Sequence, residues 1–195
     1  LPKDLNTSNV AMHQKLSFTG LFSKKIQHLE SDTVFFPGCA LQAYSPDLVE
    51  KVYSYIRKTT KGAGYYNVCC AKPTKMMGKD SEFQKIYLGI DEEFKRKKVT
   101  RVITGCQNCY MTILSNSPDI EVISLWEYID KSGVPAEAKN KYKIQKDEGL
   151  NTNKSEYSFV LHDPCPTRDV DSIHVAVRNI IAALGIEIDE MKYSK

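Results

Sequence analysis

Four short apolar runs in this chain stop at cysteine. Thr33 to Phe36 stops at Pro37-Gly38-Cys39, and Tyr65 to Val68 stops at Cys69-Cys70. Val99 to Thr104 stops at Gly105-Cys106, and Ser158 to His162 at Asp163-Pro164-Cys165. Short β-branched and aromatic runs closed by Gly or Pro read as strands ending in tight loops. Segments of helical period lie between them. Leu48/Val49, Val52 and Tyr55/Ile56 form one apolar stripe, opened by Ser45 as N-cap and Pro46 in the first turn. Phe83, Ile86/Tyr87, Ile90 and Phe94 form a second, starting near Asp80 or Ser81. Tyr110 and Leu114 continue a third from Cys106-Gln-Asn-Cys109, and Ile120 to Ser124 is a further strand with a short Trp126/Ile129 helix behind it. Strand–helix alternation of this kind predicts an α/β fold built on a parallel sheet of βα units.

A parallel sheet aligns the carboxyl ends of its strands along one edge, where ligands bind. The fold prediction therefore carries a chemical one. Cys39, Cys69, Cys70, Cys106 and Cys109 are all brought to one rim by architecture alone. Thiolate is the form that binds metal, and a helix start at Cys106 favours it. Soft sulfur donors in this number select an iron–sulfur cluster or zinc. A zinc ribbon uses C-x-x-C twice, whereas here one C-x-x-C joins a vicinal pair and a single cysteine. The cluster is the better match, although ordinary clusters take four thiolates. Two alternatives stay open: a zinc-stabilised interaction domain using four of the five thiols, and a metal-free redox dithiol at Cys106/Cys109.

Other function classes find little support. The net charge of +3 is too small to argue for nucleic acid. The Lys95-Arg96-Lys97-Lys98 tail suits the negative end of a helix dipole. No Gly-rich phosphate loop and no Ser/His/Asp arrangement stands out. His162 and His174 are weak ligand candidates, since a strand-end His beside Asp163 reads more simply as a local hydrogen-bond partner. No stretch approaches the ~20 apolar residues of a membrane span. Residues 1–31 lack a signal-type apolar region, so the reducing cytosol is the expected compartment and metal ligation the expected use of the cysteines.

The pattern restarts late in the chain. Val160 to Cys165 aligns with Val34 to Cys39; a helix runs from about Asp169 to Leu184, with Ile173, Val177, Ile180/Ile181 and Leu184 on one face. Gly185 stops it, and Ile186 to Met191 is a last strand. The expected organisation is a linker over 1–31 from an upstream module, a first cysteine-rich domain over 32–130, a polar linker or loop over 131–156, and the beginning of a second, similar unit over 157–195. Cys69 lies 30 residues after Cys39, and the same step from Cys165 falls on Lys195, the last residue. The second copy is thus expected to be truncated. Cys165 would belong to a second, incomplete site, and the fragment would be inactive alone.

The order Cys39, Cys69-Cys70, Cys106-x-x-Cys109 resembles the cysteine-rich CCG domain. That domain occurs in heterodisulfide reductase and in iron–sulfur subunits of glycolate, lactate and anaerobic glycerol-3-phosphate dehydrogenases. Phe36-Pro37-Gly38-Cys39 and His162-Asp163-Pro164-Cys165 match in their flanks. The resemblance spans roughly residues 32–195. It implies an iron–sulfur, electron-transferring domain of an oxidoreductase, cytoplasmic or membrane-peripheral. The cluster would be a four-iron one, of the non-cubane kind in heterodisulfide reductase, with zinc as a substitute. Cys39, Cys69, Cys70, Cys106 and Cys109 would be its ligands. Redox partner subunits or an upstream ferredoxin-like domain would be its partners. The chain departs from the family at Ala71, where a glycine follows the vicinal pair. Alanine enters positive φ at a cost, so a different loop shape is expected there.

Overall fold

The computed structural model describes residue 12, residues 26–139 and residues 159–191. The chain divides into two compact units, Leu1–Ser124 and Leu125–Lys195.

The first unit is an α/β layer structure on a four-stranded, all-parallel sheet. β1 (Thr33–Phe36), β2 (Gly64–Tyr65), β3 (Arg101–Thr104) and β4 (Glu121–Ser124) lie in the order β2-β1-β3-β4. Val34 pairs with Gly64 on one side and with Val102 on the other, and Val102 with Val122. Successive side chains of a strand face opposite ways, and the two faces fill differently. Val34, Phe36 and Val102 join one buried cluster with Phe83, Tyr87, Ile90 and Phe94 of α4 (Asp80–Arg96) and Ile113 of α5 (Gln107–Asn116). Phe35 turns the other way and stacks on Tyr53 of α2 (Pro46–Thr59), ring centroids 6.4 Å apart. Phe36, Phe83 and Phe94 are fully buried, each contributing roughly 1.5–3 kcal/mol against exposure.

The structure departs from the sequence reading in several places. β2 keeps only Tyr65 of the expected strand Tyr65 to Val68 and begins one residue earlier, at Gly64. Leu48 and Leu114 are exposed, and Ile113 takes the buried place expected of Leu114. Ser45 is the N-cap of α2 without a capping side-chain bond; Val49 N–H bonds instead to its carbonyl oxygen. Two short helices were not expected: α1 (Cys39–Tyr44) and α3 (Lys72–Met76). Residues 26–31, expected as linker, are part of the fold. Ile26 is buried and its N–H donates to Glu93 Oε1 at 3.0 Å. Gln27 bridges Tyr65 antiparallel, extending the sheet edge beyond β2.

The second unit comprises α6 (Leu125–Ser132), β5 (Val160–Leu161), a 3-10 turn (Cys165–Thr167), α7 (Asp171–Ala183) and β6 (Asp189–Glu190). β5 and β6 pair in parallel, and α6 packs on α7 with Asn179 donating to Asp130 at 3.0 Å. Helix α6, read as the end of the first domain, therefore groups with the second unit. The strand–cysteine–helix–strand order is present, with both strands shorter than expected. Of the expected stripe on α7, Ile173 is buried, while Val177, Ile180, Ile181 and Leu184 are not fully covered. Most of the polar segment 131–156 and the N-terminal residues expected as linker lie outside the described residues. Among those described, no helix is long and apolar enough to cross a membrane.

Candidate metal centre

The strand order reverses between β1 and β3. The chain leaves β1 toward β2 on one side, and leaves β3 toward β4 on the other. Such a switch point opens a crevice at the carboxyl ends of the two strands. Cys39, at the start of α1, follows β1, and Cys106, the N-cap of α5, follows β3. Cys109 sits in the first turn of α5, and Cys69-Cys70 lie on the link from β2 to α3.

Backbone contacts bring these loops together. Gly38 has φ 82, and a Cβ there would stand 2.9 Å from Cys106 Cβ and 3.2 Å from Cys109 Sγ. A Cβ on Gly105 would stand 2.9 Å from the Pro37 carbonyl oxygen. Both glycines are thus fixed by the close approach of the two cysteine loops, a signal the Pro37-Gly38-Cys39 and Gly105-Cys106 pairs carried in sequence.

The five thiols interact with one another. Cys69 hydrogen-bonds Cys39, and Cys109 bonds both Cys106 and Cys70. The bond from Cys69 lowers the Cys39 thiol to about 7, against burial, with the N–H groups of Cys39 and Ala40 helping. The bond from Cys109 lowers Cys106 to about 6, helped by the N–H groups of Cys109 and Asn108 at the helix start. Cys70 is lowered by Cys109 and by the Lys72 N–H. The donors move the opposite way: Cys69 is raised by its bond to Cys39 and by burial, Cys109 by its bonds to Cys106 and Cys70 and by burial. Three sulfurs are therefore biased toward thiolate while their charges oppose one another, Cys106 against Cys39 and both against Cys70. Cys109 has one hydrogen to share between two sulfur neighbours. A bound cation or cationic cluster would relieve that repulsion, so the donor set fits the group expected from sequence. The sulfurs are interlinked but not arranged around one point: among the described residues, no three His, Cys, Asp or Glu side chains already form a metal-ion site.

Ala71 closes the vicinal pair at φ 64, fully buried. Alanine here takes the left-handed conformation that glycine enters more cheaply. Its carbonyl accepts the Thr74 N–H at 3.0 Å at the start of α3. Gln107, between Cys106 and Cys109, donates to Ser124 Oγ at 3.3 Å and leaves its Oε1 buried with no partner among the described residues.

Cys165 lies in the second unit, exposed and without a disulfide. Its neighbour Asp163 accepts two hydrogen bonds from Arg178, at 3.1 and 2.9 Å. Arg178 also holds Glu190. His174 is buried, with Nδ1 3.9 Å from Asp163 Oδ2, beyond hydrogen-bond reach.

Residues 33–114 match the family model described as CCG, cysteine-rich domain. That span contains all five interlinked thiols and ends within α5. No curated protein and no solved structure matches the chain.

Proposed function

From a CCG cysteine-rich domain over residues 33–114, we propose that the chain binds an iron–sulfur cluster through Cys39, Cys69, Cys70, Cys106 and Cys109 and carries electrons as part of an oxidoreductase. The supporting observation is the convergence of five mutually interacting thiols, from three strand ends, on a sheet switch point. A zinc ion needs its donors about 2.3 Å from one point. A multi-iron cluster distributes its attachment points over several ångström, which suits sulfurs that touch in a chain. When bound, the cluster supplies a one-electron carrier; the chain supplies thiolates, backbone N–H groups around Cys39, Cys70 and Cys106, and largely buried surroundings. These are the features that set a cluster's potential. Partners in this reading are redox subunits, or a ferredoxin-like domain acting as donor or acceptor.

The test is anaerobic reconstitution with iron and sulfide. The expected product is brown, with visible charge-transfer absorption and equal iron and sulfide, and Cys106→Ser removes most of both. A colourless protein that takes up zinc would establish the zinc-stabilised alternative, and one that binds neither would leave a thiol redox pair.

A further inference from the structure

Charge is unevenly placed along the chain. Residues 51–79 hold seven Lys or Arg and no Asp or Glu, while the rest holds 20 basic and 24 acidic residues. The positive stretch meets both edges of the sheet. Helix α2 crosses back to the start of β2, as a parallel connection must, so Arg57 and Lys58 in its last turn lie at the amino edge. Helix α3 starts two residues after Cys70 and leads into α4, so Lys72, Lys75 and Lys79 lie at the carboxyl edge with the thiols. Lys75 and Lys79 are exposed. Lys79 reaches Glu82 only at 3.8 Å, and Lys75 lies over the Phe83 ring, 5.0 Å from its centroid. Exposed contacts of this kind leave the charge available to a partner. The acids at the same edge, Asp47, Asp80 and Glu82, occupy the first turns of α2 and α4, where the helix N-termini offset them.

The two most exposed large hydrophobic side chains among the described residues share this edge. Tyr44 is 90% exposed and Met76 67%. Tyr44 ends α1, the short helix that starts at Cys39, and Met76 ends α3. Single exposed apolar residues are ordinary on a surface. Here two of them tip the two short helices that leave the cysteine loops, and Tyr and Met are types enriched at protein interfaces.

We propose that α1 and α3 form the docking surface for a protein partner that presents acidic side chains around an apolar contact, an inference that rests on the reading of the thiols as a redox centre. The lysines of α3 attract and orient the partner, and Tyr44 and Met76 supply the apolar contact. A partner seated there rests on the two helices that begin at Cys39 and just after Cys70, the shortest approach to the buried sulfurs by chain connection. Charge complementarity of this kind speeds encounter and selects among partners more than it adds affinity. Small, weak interfaces suit a redox partner that must leave after each encounter. A partner with a basic face is repelled.

The probe is a plant-type ferredoxin, a small acidic electron carrier, with basic cytochrome c as the control. The full chain is mixed with each at low salt, before and after anaerobic reconstitution. A carbodiimide then joins lysine amines to carboxylates, and peptide mass spectrometry maps the links. Ferredoxin should link to Lys72, Lys75 and Lys79, and cytochrome c should not bind. Lys75→Glu combined with Lys79→Glu should weaken ferredoxin binding by about tenfold, whereas Arg57→Glu combined with Lys58→Glu should change it by less than about twofold. Met76→Ala should weaken binding without altering its salt dependence. Melting curves and iron content at wild-type values show that the variants fold. No ferredoxin binding, links confined to the amino-edge lysines, or wild-type affinity after the Lys75 and Lys79 reversals overturns the docking surface. A wild type that takes up no iron and sulfide overturns the redox reading instead, and links at α3 in that metal-free protein still establish the surface.

Discussion

Gly38 packs so tightly on Cys106 that a methyl group on the glycine would stand 2.9 Å from the cysteine Cβ. This contact holds the loop after β1 against the loop after β3, so it positions sulfur donors separated by most of the domain. Gly38→Ala meets two penalties, the positive φ and the overlap. The expected loss is about 2–4 kcal/mol, seen as a lower midpoint in urea, together with a reduced iron content after reconstitution. A variant with wild-type stability and wild-type iron would show that the loops adjust freely.

Ala71 gives a contrasting case. It is fully buried at φ 64. Glycine there relieves the left-handed strain but loses a buried methyl and gains unfolded-state freedom. Ala71→Gly should therefore change stability by no more than about 1 kcal/mol. Ala71→Val places a β-branched residue where it is a conformational outlier and should cost about 3 kcal/mol or more. Chemical denaturation of the two variants side by side measures the difference.

The thiols should label in a definite order. In reduced, metal-free protein, Cys106 should reach half-maximal alkylation near pH 6 and Cys39 near pH 7, with Cys69 and Cys109 resisting beyond the ordinary thiol value of 9.0. Peptide mass spectrometry after brief iodoacetamide pulses reads this directly. Stability follows the same protons. The unfolded chain holds the Cys106 proton until about pH 9, its ordinary value being 9.0. The metal-free fold thus gains stability as pH rises from 6 toward 9, and loses it as pH falls through 6. Above 9 the sign reverses, because Cys69 and Cys109 keep protons that the unfolded chain gives up.

Cys39 and Cys165 follow similar strand-end motifs but should behave differently. Cys39→Ser removes one of five interlinked thiols and should lower iron content after reconstitution. Cys165 is exposed in the second unit, and Cys165→Ser should leave iron unchanged. Equal losses from both would mean that the second motif serves the same centre.

The parts legible in sequence were those set by local pattern. Thr33–Phe36 reads as a strand because it is a continuous apolar run closed by Pro37-Gly38, and the buried stripe of α4 is regular over three turns. Strand ends then placed the five cysteines, since topology alone brings them to one edge. The missed parts depend on distant contacts. Ile26 has no neighbouring apolar period; it is held by Glu93, 67 residues away in sequence. α1 and α3 are too short for a stripe to register. Leu114 and Ile113 fit the helical period equally well, and only the packing of α5 chooses between them.

The strand order of the sheet also sets a schedule for the growing chain. Cys109 follows Cys39 by 70 residues. At roughly 5–20 residues per second, it emerges from the ribosome about 4–14 s later. Cys69 emerges 30 residues after Cys39, so for the rest of that interval Cys39, Cys69 and Cys70 are exposed together while Cys109 and β4 are still to come. In the iron–sulfur reading, iron delivered earlier than this would meet only part of its ligand set. That reading requires delivery timed to the end of the domain's synthesis, since oxidants arriving first would find the thiols at their least protected.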